Sequence, residues 1–313
     1  MSREHAQLQK IARLYYIEDL NQRQIADKLN ISMASVSRSL ARAKETGIVT
    51  ISISDTPDSF HELEVAIERR YDIKECVVTP AAEKTANTYR AFASAVAELL
   101  RRVTSRRGLI GVSWGETLKA LGEEIRGVEA LHCDVVPVIG AMGTIETGIY
   151  PNSIARAFAD RTGGDAYLIN APAVLDSEET AERLVRDSTF EQVRSSWQRL
   201  DLAILGASNL DEETSVHKSG IFSAAELESL RAAGAVAATN FLFLSAEGTV
   251  LDHPLSRRIV SLPEPLMRRV PNVIVAAGGP GKASAIAATL NSGLAHILVT
   301  DATTAAELVD TRP

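Results

Sequence analysis

"NVIVAAGGPGKASAI", residues 272–286, decides how the larger part of this chain folds. Four of the first five residues are apolar, which gives a strand without a polar face. Gly278, Gly279 and Gly281 interrupt it, and Lys282 followed by an Ala-rich run opens a helix. A strand that is apolar on both faces needs cover on both, as in a parallel sheet wrapped by helices. The same succession recurs outward from this stretch. Strands are expected at 75–79, 108–113, 133–139, 166–170, 201–206, 240–245, 257–261, 272–276 and 296–300. Helices are expected at 86–103, 115–126, 152–162, 178–198, 223–233, 281–291 and 302–309. The spacing predicts an α/β domain with a mostly parallel sheet, whose ligands bind at the carboxyl ends of strands. The loops after Ser113, Ile139, Asn170, Gly206 and Ala276 are therefore the places to look.

Composition sets outer limits. The 313 residues are 45% hydrophobic and 23% charged, ordinary for a soluble protein of more than one compact unit. No apolar run approaches 18 residues, and "MSREHAQLQK" has no signal-peptide core, so neither a membrane span nor export is expected and the chain is placed in the cytoplasm. Cys76 and Cys133 lie in apolar surroundings and are read as buried free thiols; the six histidines have no ligand spacing, so no metal is expected. Charge is uneven. Residues 1–54 carry eight Lys/Arg against five Asp/Glu, a balance of +3, which leaves −10 for the rest of a chain at −7. A basic head on an acidic body suggests a small polyanion-binding module joined to a larger domain with another task.

The head, residues 1–54, reads as a winged helix-turn-helix. Leu8, Ile11, Leu14 and Ile17 recur at helical spacing. Asn21 with Gln24 three residues on is a capping-box pattern before a second short helix with Ile25, Ala26 and Leu29 inside. "NIS" turns, Ser32 caps a third helix that buries Val36, Leu40 and Ala43, and Gly47 ends it. "IVTISI" then alternates like a wing strand. The third helix offers Ser35, Ser37, Arg38, Arg42 and Lys44 to the major groove of double-stranded DNA. Ser35 and Arg38 are the expected base readers, and Arg42 and Lys44 the expected phosphate contacts; Gln24 and Ser32 complete the candidate DNA-binding set. Residues 55–62 read as a linker and 63–313 as the body.

Two body loops suit an anion. In "GVSWGETL", 111–118, a strand ends and a helix begins, so free amides are joined by the Ser113 and Thr117 hydroxyls. In the opening stretch, Lys282 at a helix start opposes the helix dipole unless an anion offsets it. The loop is not a Walker A motif, since Ala276 stands where its first glycine belongs and Ala283 where its Ser/Thr belongs; no GxGxxG is present, so no cofactor is expected. Asn152, at a helix start, suits either a cap or a sugar hydroxyl, and Asp301 either a cap of the last helix or a neighbour of the Lys282 loop.

These pieces occur in an order that resembles the SorC family of bacterial sugar-responsive transcriptional regulators. The likeness rests on "QRQIADKLNIS" and "SVSRSLARAKETGIV" in the head, and on "GLIGVSWGETL", "VVPVIGAMG", "PNSIARAFA", "GAVAATNFLFLSAEG", "DHPLSRRIV" and "VIVAAGGPGKASAIAATLNSGLAHILVTDATTAAEL" in the body. The resemblance implies an effector domain folded like glucosamine-6-phosphate deaminase and ribose-5-phosphate isomerase. It also implies dimers or tetramers on palindromic operators, and a sugar or sugar-phosphate effector. It further implies that Ser113, Gly115, Thr117 and Lys282 contact phosphate and that Asn152 and Arg257 contact the ligand; Trp114 and Gly279 complete the candidate effector-binding set. The sequence departs from the family pattern at Ala237 and Ala238, where Gly-Asp is frequent. It departs again at Ile139, where some members carry arginine, and at Glu116 inside the first loop. Fewer cationic anchors favour a singly phosphorylated or uncharged ligand. The rival expectation, a sugar-phosphate isomerase or deaminase with an added head, needs a positioned base; Glu116, Glu146, Asp252 and His253 are the available groups, and none forms an evident acid–base pair. The chain is accordingly read as a regulator and not as an enzyme.

Overall fold

The computed structural model describes residues 3–49, 60–81, 85–142, 149–211, 216 and 220–310. It falls into two compact units, Met1–Ser59 and Phe60–Pro313. The second unit begins inside the stretch read as linker: α4 spans His61–Tyr71, with Glu62 and Glu64 in a first turn whose dipole favours them. The wing strand expected at 48–53 lies, from residue 50 on, outside the described residues, as does most of the linker.

The smaller unit is three helices, α1 (Arg3–Tyr16), α2 (Gln22–Leu29) and α3 (Met33–Glu45). The Asn21 side chain accepts from the Gln24 amide at 3.0 Å while the Gln24 side chain accepts from the Asn21 amide at 2.9 Å, a complete capping box. Asn30 closes α2 in the left-handed region, and Ser32 caps α3 through the Ser35 amide. Ile11, Leu14, Ile25, Ala26, Val36 and Leu40 form the shared core. Gly47, at φ +71°, follows the end of α3 as expected of a residue just past a helix.

The larger unit is a seven-stranded parallel sheet with helices. Its strands are β1 (Glu75–Thr79), β2 (Leu109–Val112), β3 (Cys133–Pro137), β4 (Gly163–Ala166), β5 (Leu202–Leu205), β8 (Asn272–Ala276) and β9 (Ile297–Asp301). Their order is β1-β9-β8-β5-β2-β3-β4. From β2 the chain winds outward through β3 and β4, then restarts on the other side of β2 with β5 and continues through β8 and β9. The strand order therefore reverses between β2 and β5, where such sheets bind ligands. The strands are joined by α5 (Thr85–Val103), α6 (Glu116–Glu124), α7 (Pro151–Thr162), α8 (Glu178–Arg186), α9 (Glu191–Trp197), α10 (Ala224–Ala232), α11 (Glu264–Met267) and α12 (Ala283–Asn291), and α13 (Ala302–Asp310) follows β9. Two buried clusters, one around Phe92, Leu118, Phe158 and Ile274 and one around Ile67, Trp197, Val273 and Leu298, share the strands' alternate residues. Cys76 and Cys133 are buried and unbridged, and burial pushes both thiols up. Among the described residues no helix is long and apolar enough to cross a membrane, and no cluster of His, Cys, Asp or Glu has the makings of a metal site.

Four expected elements differ. The strand placed at 240–245 is a hairpin: β6 (Ala237–Thr239) and β7 (Leu242–Leu244) pair antiparallel, with Asn240 and Phe241 at φ +48° and +58° between them, as a two-residue type I′ turn requires. The strand placed at 166–170 ends at Ala166, because the Asn152 amide takes over the backbone of Ile169. At 257–261 a 3₁₀ turn, Ser256–Arg258, is followed by single bridges from Ile259 to Val174 and from Ser261 to Ile139 rather than a ladder. The helix placed at 178–198 breaks at Asp187, which is extended and accepts from the Thr189 amide, starting a new turn.

Candidate functional site

At the reversal point the loops after β2, β5 and β8 meet the β6–β7 turn and line a part-open cavity. The β2 loop supplies Ser113, Trp114, Gly115, Glu116 and Thr117. The β5 loop supplies Gly206, Ala207 and Ser208; the β8 loop supplies Ala277, Gly278 and Lys282; the hairpin supplies Ala238, Asn240 and Phe241; and α5 reaches in with Tyr89.

Two helices, α6 and α12, begin at this cavity, capped by Gly115 and Lys282, and neither start has a side-chain cap. Their first amides thus have no side-chain cap; Glu116 and Thr117 of α6 line this cavity, whereas Ala283 and Ser284 of α12 line a neighbouring hollow with Gly281 and Thr303. Lys282 is half-buried, and its Nζ lies 3.5 Å from Ser208 Oγ. Burial holds its amine below the ordinary lysine value, partly opposed by the charges of Glu116 and Asp211. An ammonium that is both desolvated and placed against a helix dipole gains most from an arriving anion. Tyr89 is pushed up by burial and next by Glu116, with its hydrogen bond to Thr117 acting the other way.

The Lys282 loop is fixed from behind. Asp301, buried at the end of β9, accepts from the Gly279 amide at 2.7 Å and from the Thr304 amide and hydroxyl, so it both caps α13 and holds the loop. Gly278 passes so close that a Cβ there would lie 2.2 Å from Asp301 Oδ2 and 2.9 Å from Phe92 Cζ. Asn209 Nδ2 ties the β5 loop to Gly281 O at 3.1 Å. On the opposite wall Trp114 meets Phe241 edge-on at 5.3 Å, and Phe241 meets Phe222 at 5.1 Å.

Of the residues expected around the effector, Ser113, Trp114, Gly115, Thr117 and Lys282 are brought together. Gly279, Asn152 and Arg257 do not line the cavity. Gly279 gives its amide to Asp301 and Thr304. Both amide atoms of Asn152 are engaged by Ile169. Arg257 forms a two-pronged pair with Asp252, at 3.0 and 2.7 Å, and approaches Glu178. Tyr89, Ser208, Asn240 and Phe241 went unanticipated: no motif marks Tyr89 on its helix, and Asn240 and Phe241 sit in a run that looks like an unbroken strand. Ser208 follows the Gly206 loop, one of the loops expected to hold a ligand.

In the head, Ser37, Arg38, Arg42 and Lys44 are exposed along α3, and Ser35 is half-buried. Lys44 Nζ lies 6.0 Å above the Tyr16 ring. Gln24 and Ser32 are exposed at the helix starts but spend side-chain atoms on caps. Met33, the first residue of α3, is 53% exposed.

Residues 56–310 match the family described as "Putative sugar-binding domain". The chain is 28% identical over 299 residues to the sorbitol operon regulator of Klebsiella pneumoniae, covering 95% of each chain. It is 27% identical over 313 residues to the deoxyribonucleoside regulator of Bacillus subtilis, covering 99% of each. The crystal structure of the full-length Klebsiella sorbitol operon regulator SorC superposes with a TM-score of 0.74 over 99% of this chain and 100% of that one. Because that family model matches most of the chain and the sorbitol operon regulator aligns with it over nearly its whole length, the chain belongs to the sugar-binding domain family of SorC-type regulators.

Proposed function

We propose that this protein is a DNA-binding transcriptional regulator of a carbohydrate or polyol operon, controlled by a sugar or sugar phosphate bound in the cavity between β2 and β5. The observation that carries this reading is Lys282, a desolvated ammonium at an uncapped helix start facing the switch point of the sheet. The regulators named above match both the head and the body. Arg38 and Ser35 read operator bases, while Arg42 and Lys44 grip phosphates. Effector binding changes operator affinity by its differential affinity for two arrangements of a dimer or tetramer.

A non-catalytic role is supported by where the candidate bases lie. Asp252 is paired with Arg257, and His253 with Ser229 and the Leu255 amide, both away from the cavity lining. Glu146 lies outside the described residues. Glu116 is the carboxylate that lines the cavity among the described residues, and no histidine joins it there. The test is fluorescence anisotropy of full-length protein on the DNA upstream of its own gene, at several salt concentrations and with a panel of sugar phosphates. Salt-sensitive binding that one panel member shifts is expected. Turnover of a panel member without any effect on DNA binding would favour the isomerase reading.

A further inference from the structure

Two hydroxyl groups of the cavity, those of Ser113 and Ser208, donate to atoms that can only accept, and this defines what a ligand must bring them. Asn240 is buried and held by its turn. Its Nδ2 donates to the carbonyl of Val138 at 3.1 Å, an atom that can only accept. The amide is therefore oriented, and its Oδ1, which also only accepts, faces Ser113 Oγ at 2.9 Å. Ser113 must donate to it. Reversing the amide would set Oδ1 against the Val138 carbonyl with no proton between them, and the turn that carries it has Asn240 and Phe241 both in the left-handed region, with Phe241 packed against Trp114 and Phe222. A bulky residue at such φ persists where its surroundings over-determine it, and such strain gathers at ligand sites. The same reasoning applies to Ser208, whose Oγ donates to the Asn209 carbonyl at 3.0 Å and receives the Lys282 ammonium at 3.5 Å.

Both serines have thus spent their protons inward, and what they keep for a ligand is lone pairs. A phosphate oxygen, which needs donors, gains nothing from either; a ligand hydroxyl does. Glu116, on the same lining, is another acceptor and repels a second anion. Lys282 is the one ammonium or guanidinium lining the cavity among the described residues. We propose that Ser113 and Ser208 read ligand hydroxyls as hydrogen-bond acceptors, so that the hydroxyl-bearing part of the effector lies against these two serines while its anionic group lies at Lys282 and the start of α6. This rests on the effector reading of the cavity. It moves Ser113 from the phosphate end, where the family resemblance put it, to the hydroxyl end.

The experiment is calorimetric titration of full-length wild type, Ser113→Ala, Ser208→Ala and Lys282→Ala with three probes: glucitol 6-phosphate, ribose 5-phosphate and inorganic phosphate. Melting temperatures without probe verify folding, and the two serine variants back each other up. Each serine variant is expected to weaken the better-bound sugar phosphate roughly three- to tenfold, the scale of one neutral hydrogen bond, and to leave inorganic phosphate unchanged. Lys282→Ala should weaken both. If the serine variants lose inorganic phosphate as strongly as sugar phosphate, the serines are anion contacts and the inference is overturned while the effector site stands. If Lys282→Ala binds all three probes like wild type, or wild type binds none, the effector reading itself fails and takes the inference with it.

Discussion

The head and the body treat the starts of their working helices in opposite ways. In the head, α2 and α3 are closed by side chains: Asn21 with Gln24, and Ser32 on the Ser35 amide. In the body, α6 and α12 start behind Gly115 and Lys282, which line the cavity, with no side-chain cap; α4, α7, α9 and α11 also lack one, while α8 and α10 are capped by Ser177 and Ser223. The difference shows what each region asks of a helix. On the proposed reading, the third helix of the head is a rigid rod whose side chains contact DNA, and the Ser35 amide at its start is satisfied by Ser32. On the proposed effector reading, the start of α6 offers its first amides to the ligand, with Lys282 beside them at a cost in stability.

The comparison breaks most sharply at Lys282. Lys282→Met is expected to weaken the phosphorylated effector about 10- to 100-fold, as for a lost charge-assisted hydrogen bond, read by calorimetry. The same change should stabilise the ligand-free protein by about 0.3–1 kcal/mol, the scale of a charge–dipole conflict, read by chemical denaturation. A variant that loses both binding and stability would mean that Lys282 is structural. Next comes Arg38→Ala, expected to cost about 1–3 kcal/mol of operator affinity and to leave ligand-induced thermal stabilisation intact; gel-shift and thermal-shift measurements on one preparation separate the two. Asn21→Ala should cost the head about 1 kcal/mol without touching effector affinity, seen as an earlier head transition in calorimetry.

The smallest effect is in pH. The Lys282 amine titrates below its ordinary value of 10.5 in the fold, so between its lowered value and 10.5 the unfolded chain binds more protons. Ligand-free stability therefore gains from this group as pH rises through that window, and the full penalty is present below it. The stability difference between wild type and Lys282→Met should shrink as pH approaches 10.5. A difference that stays constant would place the amine in solvent.

Much of this was legible in the sequence where local chemistry decides structure. Asn21, Ser32 and Gly47 announce the helix ends of the head, and continuous apolar runs announce β1, β2, β5, β8 and β9. The oddity of Lys282 at a helix start was enough to single out its loop. The failures share one cause, that distant partners decide the role. "TNFLFL" reads as a strand, and only the packing of Phe241 against Trp114 and Phe222 makes a turn of it. Asn152 and Arg257 were polar groups in the right neighbourhood, but Ile169 and Asp252 had already claimed them. Tyr89 comes from a helix with no motif, and tertiary placement alone brings it to the cavity.

The most direct measurement of the division of labour between capped reader and bare sensor is operator binding by full-length wild type and Lys282→Met, with and without the strongest-binding sugar phosphate. The account predicts equal affinity of the two proteins for DNA alone, and a ligand-driven shift in wild type that is lost in the variant. An undiminished shift in the variant would contradict it.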